Sequence, residues 1–537
     1  MMRFNFAVIR SVMLAILVAA VHLPSFGWSP EDRDSFVGDA AALDRREPED
    51  FESQAIEIEF PEAESPLWCE LLEAGPTVLS WPDEPLANFF GHVLGVEHHI
   101  IESAIEEHPI GIQPIPARPP LLVEWNELFL GGGTLAQGIE TPTGAIWRPA
   151  FWVFGEYRGA LQYFDRGNPS TEWANRLELF GQLNLSGTER VLVGVHPFDE
   201  ETNSRRDFTG YDFNDGKWTD GTNAKFQTLF FEGDFGEIFP RLDPYDTEFL
   251  DYGFSIGRMP LLAQQGLLIN EDMIDAVTVT RNTLNGHGNL NLRATGVYSW
   301  RGINRNSATG RPNDFDPSSQ MVAILTESDF AKRTVNLDAA YVHGDPTFGN
   351  LYAFAASSIR RHHGHHNTYN TSVHLLASIP EGPTTPYADQ GELFFAQTSW
   401  TPHHTDDLIY MNAFWAIDQF TSPTRGPLMG SPLGQTGILF ASVALGQYSA
   451  PLAVRTDNLA GASLGYQLQF NATRDQLIFE IGGAKETKGG NRGVIGTGLR
   501  YQKAIGQHSI LVVDGFVGKP EEQRVTQGLR TEWRIKF

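Results

Sequence analysis

Read by twos from its last residue, the chain sorts its side chains into two sets. Phe537, Ile535, Trp533, Thr531 and Leu529 form one; Lys536, Arg534, Glu532, Arg530 and Gly528 form the other. Alternate side chains of a β-strand point to opposite faces. The segment therefore predicts a strand with an apolar solvent on one side and a wet interior on the other, as in the wall of a transmembrane β-barrel. The alternation recurs from about residue 143 onward. Phe151, Val153, Tyr157, Leu161 and Tyr163 interleave with Glu156, Arg158 and Gln162. Leu177, Leu179, Leu183 and Leu185 stand against Arg176, Glu178, Gln182 and Asn184, and Leu290, Leu292 and Ala294 against Asn289, Asn291 and Arg293. Val335, Leu337, Ala339 and Tyr341 face away from Asn336 and Asp338, and Leu477, Phe479 and Ile481 from Gln476 and Glu480. Ile495, Thr497, Leu499 and Tyr501 oppose Gly496, Gly498 and Arg500.

Together these segments predict an all-β fold: a transmembrane antiparallel β-barrel of about eighteen strands spanning 143–537. Sixteen is the rival count if the weak segments near 255 and 279 stay out of the wall. The connections sort by length. Those at 186–188, 285–288, 330–332, 361–367, 401–407, 473–474 and 506–507 are short; those at 198–222, 301–318, 380–390 and 419–460 are long and rich in Gly, Pro, Asp and Asn. Barrels of this class keep short turns in the periplasm, so both ends of the barrel are expected there. The long connection 233–249 is the exception. Unpaired backbone groups facing hydrocarbon cost several kcal/mol each, so first and last strands must pair. A wall of this size encloses an aqueous channel. The long connections 198–222 and 419–460 are candidates to fold inward and narrow it.

The N-terminal part reads differently. Arg3 and Arg10 flank the start of an apolar run at 12–21, with small Ser25 and Gly27 ahead of Trp28, which predicts a signal peptide over 1–27. The run is short for a spanning helix. Residues 28–118 hold 21 Asp and Glu against 4 Lys and Arg, a large share of the formal charge of −27, and are expected to form an acidic periplasmic extension. Residues 119–142 are read as a linker with a possible short strand. The single cysteine, Cys69, rules out a disulfide scaffold. A chain this acidic, without a basic stripe, disfavours nucleic acid as a partner.

In a barrel the chemistry is selective passage, carried by charged side chains on the lumen face. By parity the candidates are Glu156, Arg158, Arg176, Glu178, Arg293, Asp338, Glu480, Arg500, Asp514, Arg530, Glu532 and Arg534, with Arg258 at a strand end. Two readings stay open: the charges pair and keep the wall wet, or the arginines form a ladder for an anionic or hydroxyl-rich solute, which their planar forks suit. Aromatics near strand ends, Trp147, Tyr163, Trp300, Trp400 and Trp533, fit interfacial girdles.

A strand ending in Gly257-Arg258, a loop of about fifteen residues and a strand opening Asp275-Ala276-Val277 resemble the alginate-export-like family of eighteen-stranded Gram-negative porins. Met259 stands where that family usually has Gln. The resemblance implies an outer-membrane porin for passive passage of small hydrophilic solutes, including anionic or neutral oligosaccharides. Phe537 is similar to the C-terminal signal that the barrel-assembly machinery reads in this class. Outer-membrane lipid and lipopolysaccharide are the other expected partners. The alternative is a non-conducting anchor or adhesin whose N-terminal extension binds a periplasmic partner.

Other chemistry is weaker. His362, His363, His365 and His366, with His403 and His404 and with His98 and His99, have spacings that suit zinc or copper, yet no cysteine is near, and no metal site is assigned. Asp212, Asn214 and Asp215 before Gly216 depart from the regular ligand alternation of a calcium loop. There is no convincing Ser/His/Asp set, so no enzyme, catalytic residue or cofactor is expected.

Overall fold

The computed structural model describes residues 121–126, 137–199, 208–245, 247–284, 286, 288–309, 314–363, 368–402, 405–430, 437–443, 445–448, 450–452 and 455–537. The expected signal peptide, the acidic extension, Cys69 and His98–His99 lie outside the described residues.

Alternating sequence becomes alternating burial. Ile256, Val279, Ile324, Phe394, Leu499 and Leu529 are exposed, whereas Ile274, Met321, Leu393, Tyr410, Glu480 and Arg530 on the other face are buried. Eighteen strands make the wall: β1 (Ala150–Asp165), β2 (Pro169–Asn184), β3 (Arg190–Val195), β4 (Phe226–Asp234), β5 (Tyr252–Ala263), β6 (Ile269–Arg281), β7 (Asn291–Arg301), β8 (Gln320–Phe330), β9 (Arg333–His343), β10 (Asn350–His363), β11 (Thr368–Glu381), β12 (Gly391–Thr401), β13 (Leu408–Gln419), β14 (Asp457–Phe470), β15 (Asp475–Glu486), β16 (Gly493–Ile505), β17 (Ser509–Pro520) and β18 (Thr526–Lys536). The segments near 255 and 279 are wall strands β5 and β6, which decides for eighteen over sixteen.

Each strand pairs antiparallel with the next, and β18 closes on β1. In that seam Arg530 faces Gln162, Arg534 faces Arg158 and Lys536 faces Glu156. Two short strands complete exposed edges. Val123–Trp125 pairs with Phe151–Val153 of β1, beyond the reach of β18. Thr209–Asp212 pairs with Glu172–Asn175 of β2, above the six-residue β3. Both devices leave fewer unpaired backbone groups on a wall edge.

One rim carries short connections apart from 235–251, and the other carries the long ones, 196–225, 302–319 and 420–456, among short turns such as 166–168 and 264–268. The exceptional connection after β4 forms a helical turn, Phe235–Ile238, capped by Asp234, which accepts from Gly236 N at 2.9 Å. Farther on, Arg241 donates to Pro142 O at 2.9 Å and Glu140 Oε1 at 2.7 Å. Its length thus serves to reach the short ribbon Ile139–Glu140 with Ile146–Trp147. Trp147 belongs to that ribbon and not to a wall strand. Among the described residues no helix is long and apolar enough to cross a membrane.

Candidate functional site in the barrel lumen

The lumen faces of β15 to β18, β1 and β2 carry a band of charge. Arg500 on β16 pairs with Asp514 on β17 at 3.4 Å, and Asp514 pairs with Arg530 on β18 at 2.6 Å. Arg530 also meets Glu532, and Glu532 accepts from Arg158 of β1 at 2.6 Å. One turn toward the short-turn rim, Arg534 holds Glu156. On β2, Arg176 lies 2.8 Å from Glu178 and 3.4 Å from Asp199. Asp514, Arg530 and Glu532 are each no more than 3% exposed. Buried charges persist only when paired, and here each of these arginines has a carboxylate. The band is therefore mixed in sign rather than a basic stripe.

Its other members are placed apart. Arg293 on β7 pairs with Glu327 of β8 at 3.0 Å, on a wetter stretch of the lumen face. Asp338 on β9 is buried; its oxygens accept from Thr326 N at 2.8 Å and Gln264 Nε2 at 2.9 Å. Arg258 differs from the expectation. It shares its strand face with exposed Ile256 and Leu262, while Met259 on the opposite face is buried. Opposite Asp275 in register, it makes a two-armed pair with that residue at 2.8 and 3.0 Å. The strand's alternation thus puts Arg258 on the outer face of the wall.

The connection between β13 and β14 folds into the barrel. Phe420, Leu428, Leu439, Phe440 and Leu452 are at most 1% exposed, and they join an apolar core with Ile274, Met321, Leu393 and Phe414 of the wall. Polar contacts pin it to the charged side: Arg158 donates to Val443 O at 2.9 Å, Gln162 to Leu445 O at 2.9 Å, and Arg530 lies over the Tyr448 ring. Two glycines make the fit possible. Gly446 has φ +67°, and a Cβ there would collide with Gln162 and Glu172. At Gly498 on β16 a Cβ would stand 2.9 Å from Cγ2 of Ile438. The lumen is thus occupied on its long-loop side. Toward the short-turn rim it opens into a cavity of about 830 Å³ lined by Arg148, Gln182, Asn184, Arg190, Glu232 and Thr280.

A second inward piece, the turn 264–268, was not anticipated as lumen structure. Gln264 reaches Asp338, and its Oε1 accepts from His374 Nδ1 of β11 at 3.0 Å. Ser422 donates to Leu268 O at 2.7 Å and Asn270 N to Thr424 Oγ1 at 2.9 Å, tying the turn to the long inward loop. Sequence reasoning missed Gln264, His374, Glu172 and Tyr448. The available signal was the run of glycines on the lumen parity, Gly496, Gly498 and Gly528, which leaves room for another segment.

The remaining motifs resolve locally. Asp212 Oδ1 accepts from Asn214 N at 2.8 Å and Asp215 N at 3.2 Å, a turn that joins Thr209–Asp212 to Lys217–Thr219. His362 stacks on Tyr369 and meets Thr371 Oγ1 at 2.9 Å. The His363 side chain, His365, His366, His403 and His404 lie outside the described residues. Among the described residues no group of three His, Cys, Asp or Glu is placed to hold a metal ion.

No family model and no curated protein matches the chain. Solved structures with a similar course include Pseudomonas aeruginosa OccK1 (OpdK), at 11% identity and a TM-score of 0.48, covering 72% of this chain and 98% of that one. OccK9 (OpdG) of the same organism is 12% identical, with a TM-score of 0.49 and 72% and 98% coverage. OccK2 (OpdF), solved in complex with glucuronate, is 10% identical with a TM-score of 0.48, again covering 72% and 98%.

Proposed function

We propose that the chain is an outer-membrane porin that passes small hydrophilic solutes passively and without a cofactor. The observation that carries this reading is the closed wall itself: exposed apolar side chains around its outside and an ionised band inside. An outer belt of this kind suits acyl chains, since water would penalise it by roughly 25 cal/mol per Å² of apolar surface. The inward loop acts as the constriction, and the cavity at the short-turn rim as its vestibule. In this reading Glu156, Arg158, Arg176, Glu178, Arg500, Asp514, Arg530, Glu532 and Arg534 line the path, with Arg293, Asp338 and Glu480 on other sectors of the same face. Because the arginines are paired with carboxylates, neutral oligosaccharides suit the band better than anionic ones.

The resemblance at 254–277 extends the reading to the alginate-export-like channels. The short-turn rim then faces the periplasm with the acidic extension, lipopolysaccharide surrounds the long-loop rim, and Phe537 serves as the assembly signal. Planar-bilayer recording of the purified full chain tests the function. Discrete ionic steps are expected. A permanently silent barrel would favour a non-conducting anchor or adhesin.

A further inference from the structure

Under the inward loop lies a group of polar atoms that the wall leaves without partners. Tyr410 on β13, Gly465 on β14 and Glu480 on β15 form one cross-strand row, and Asn412 with Ser463 stands in the next row on the same face. Gly465 has no side chain, so the Tyr410 ring lies over β14; a Cβ at 465 would collide with it. Tyr410, Asn412 and Glu480 are fully buried. The Tyr410 hydroxyl, both amide atoms of Asn412 and Oε1 of Glu480 have no hydrogen-bond partner.

A buried polar atom left unsatisfied is costly, and a buried carboxylate more so. Glu480 accepts from the backbone N–H groups of Ile438 and Leu439, which both use Oε2. The arginine on the neighbouring strand, Arg500, pairs with Asp514 at 3.4 Å and favours charge on Glu480 electrostatically, but it makes no hydrogen bond to Oε1. Ile438 covers the site by packing on Tyr410 and Ile478. What the free atoms lack is a compact group with several donors, beside groups that also accept and donate to hydroxyls. An ammonium supplies three donors and a positive charge.

We infer that Glu480, with the Tyr410 hydroxyl and the Asn412 amide beside it, binds the ammonium group of a small hydrophilic solute, and that segment 437–443 is a displaceable cover over this site. The inference rests on the porin reading and adds a solute class to it. Amino sugars and amino acids share the ammonium chemistry.

The test uses the full chain in liposomes, with influx of protonated glucosamine compared with glucose, a neutral solute of nearly the same size, and with alanine as a second ammonium solute. The wild-type barrel is expected to favour glucosamine. Glu480→Gln should reduce that preference by about tenfold, the loss of a charge-assisted bond. Tyr410→Phe, which removes one hydroxyl and keeps the packing, should reduce it less and in the same direction. Alanine influx falling in parallel supports ammonium solutes in general; a response of glucosamine alone supports amino sugars. Equal changes in glucose and glucosamine in both variants, or a wild-type preference for glucose, overturn the site, leaving its orphan atoms to water. Ionic current without discrimination removes this inference alone. A wild-type barrel that passes neither ions nor solutes removes the porin reading with it.

Discussion

Arg534 grips Glu156 with two bonds, Nε to Oε1 at 2.8 Å and Nη2 to Oε2 at 2.9 Å, across the seam where the last wall strand meets the first. The pair joins residues 378 positions apart, so it forms only when the barrel closes. A bidentate guanidinium–carboxylate pair fixes geometry as well as charge. Glu156→Gln or Arg534→Ala is expected to destabilise the closed barrel by roughly 2 kcal/mol, because each leaves a half-buried charge behind. Urea unfolding in detergent micelles checks this, and an unchanged midpoint would show that the backbone ladder alone seals the seam.

The inward loop makes a sharper prediction. Gly446→Val places two methyl groups where Gln162 and Glu172 meet the loop, and the residue must hold a left-handed φ that β-branched side chains avoid. The loop should leave its seat and single-channel conductance should rise. Deleting 425–450 should raise it further. Unchanged conductance in both would count against the loop as the constriction.

Gln264 is the sole side chain among those discussed that ties two walls together from a turn, through Asp338 and His374. Gln264→Leu removes both bonds and leaves a buried carboxylate and imidazole short of partners. A loss of roughly 1–3 kcal/mol is expected, visible in the same unfolding assay. Gln264→Glu should be worse still, since it sets a second carboxylate beside Asp338; equal stability of the two variants would contradict that ordering.

Glu189 sits in the turn before β3, is only 1% exposed, and has no partner for either carboxylate oxygen. Burial, reinforced by nearby Glu237 and Asp234, pushes its pKa above the ordinary carboxylate range. The sign follows from linkage. A raised folded value means the folded state holds the proton more tightly, so the penalty is absent below the unfolded pKa and grows as pH rises through the folded one. Glu189→Gln should therefore stabilise the barrel at about pH 7 by roughly 1 kcal/mol or more, with the gain vanishing toward about pH 4. A gain independent of pH would assign the effect to packing.

Much of the wall was legible because its signal is strictly local. Leu499 and Arg500, or Leu529 and Arg530, are neighbours in sequence and opposites in environment, so parity alone assigns their faces. Connection length added the alternation of rims, and the weak segments 255 and 279 were the ambiguous ones because glycine and short polar residues dilute their pattern. Arg258 went wrong for a related reason. Its position after Gly257 suggested a strand end, whereas the strand continues to Ala263 and its parity points Arg258 outward.

Pairing of charges was not legible at all. Parity showed that Arg158, Glu532, Asp514 and Arg530 share a face, but which carboxylate each arginine takes depends on register across three strands and on the closure of β18 onto β1. Nor could alternation reach the loop between β13 and β14, which has no period and whose seat is built from residues as remote as Arg158, Gln162 and Glu480.

By itself, then, the order of residues determined a cylinder: two solvents, two faces, sixteen or eighteen crossings and rims of unequal length, since a period of two is enforced by backbone geometry within each strand. The sequence also offered 419–460 as a segment to fold inward, but the tertiary structure alone decided how it is seated. Closure brings the first and last strands together, and only then do paired charges, a glycine-lined seat and an inward loop exist as one site, because those contacts join segments that nothing local holds in proximity.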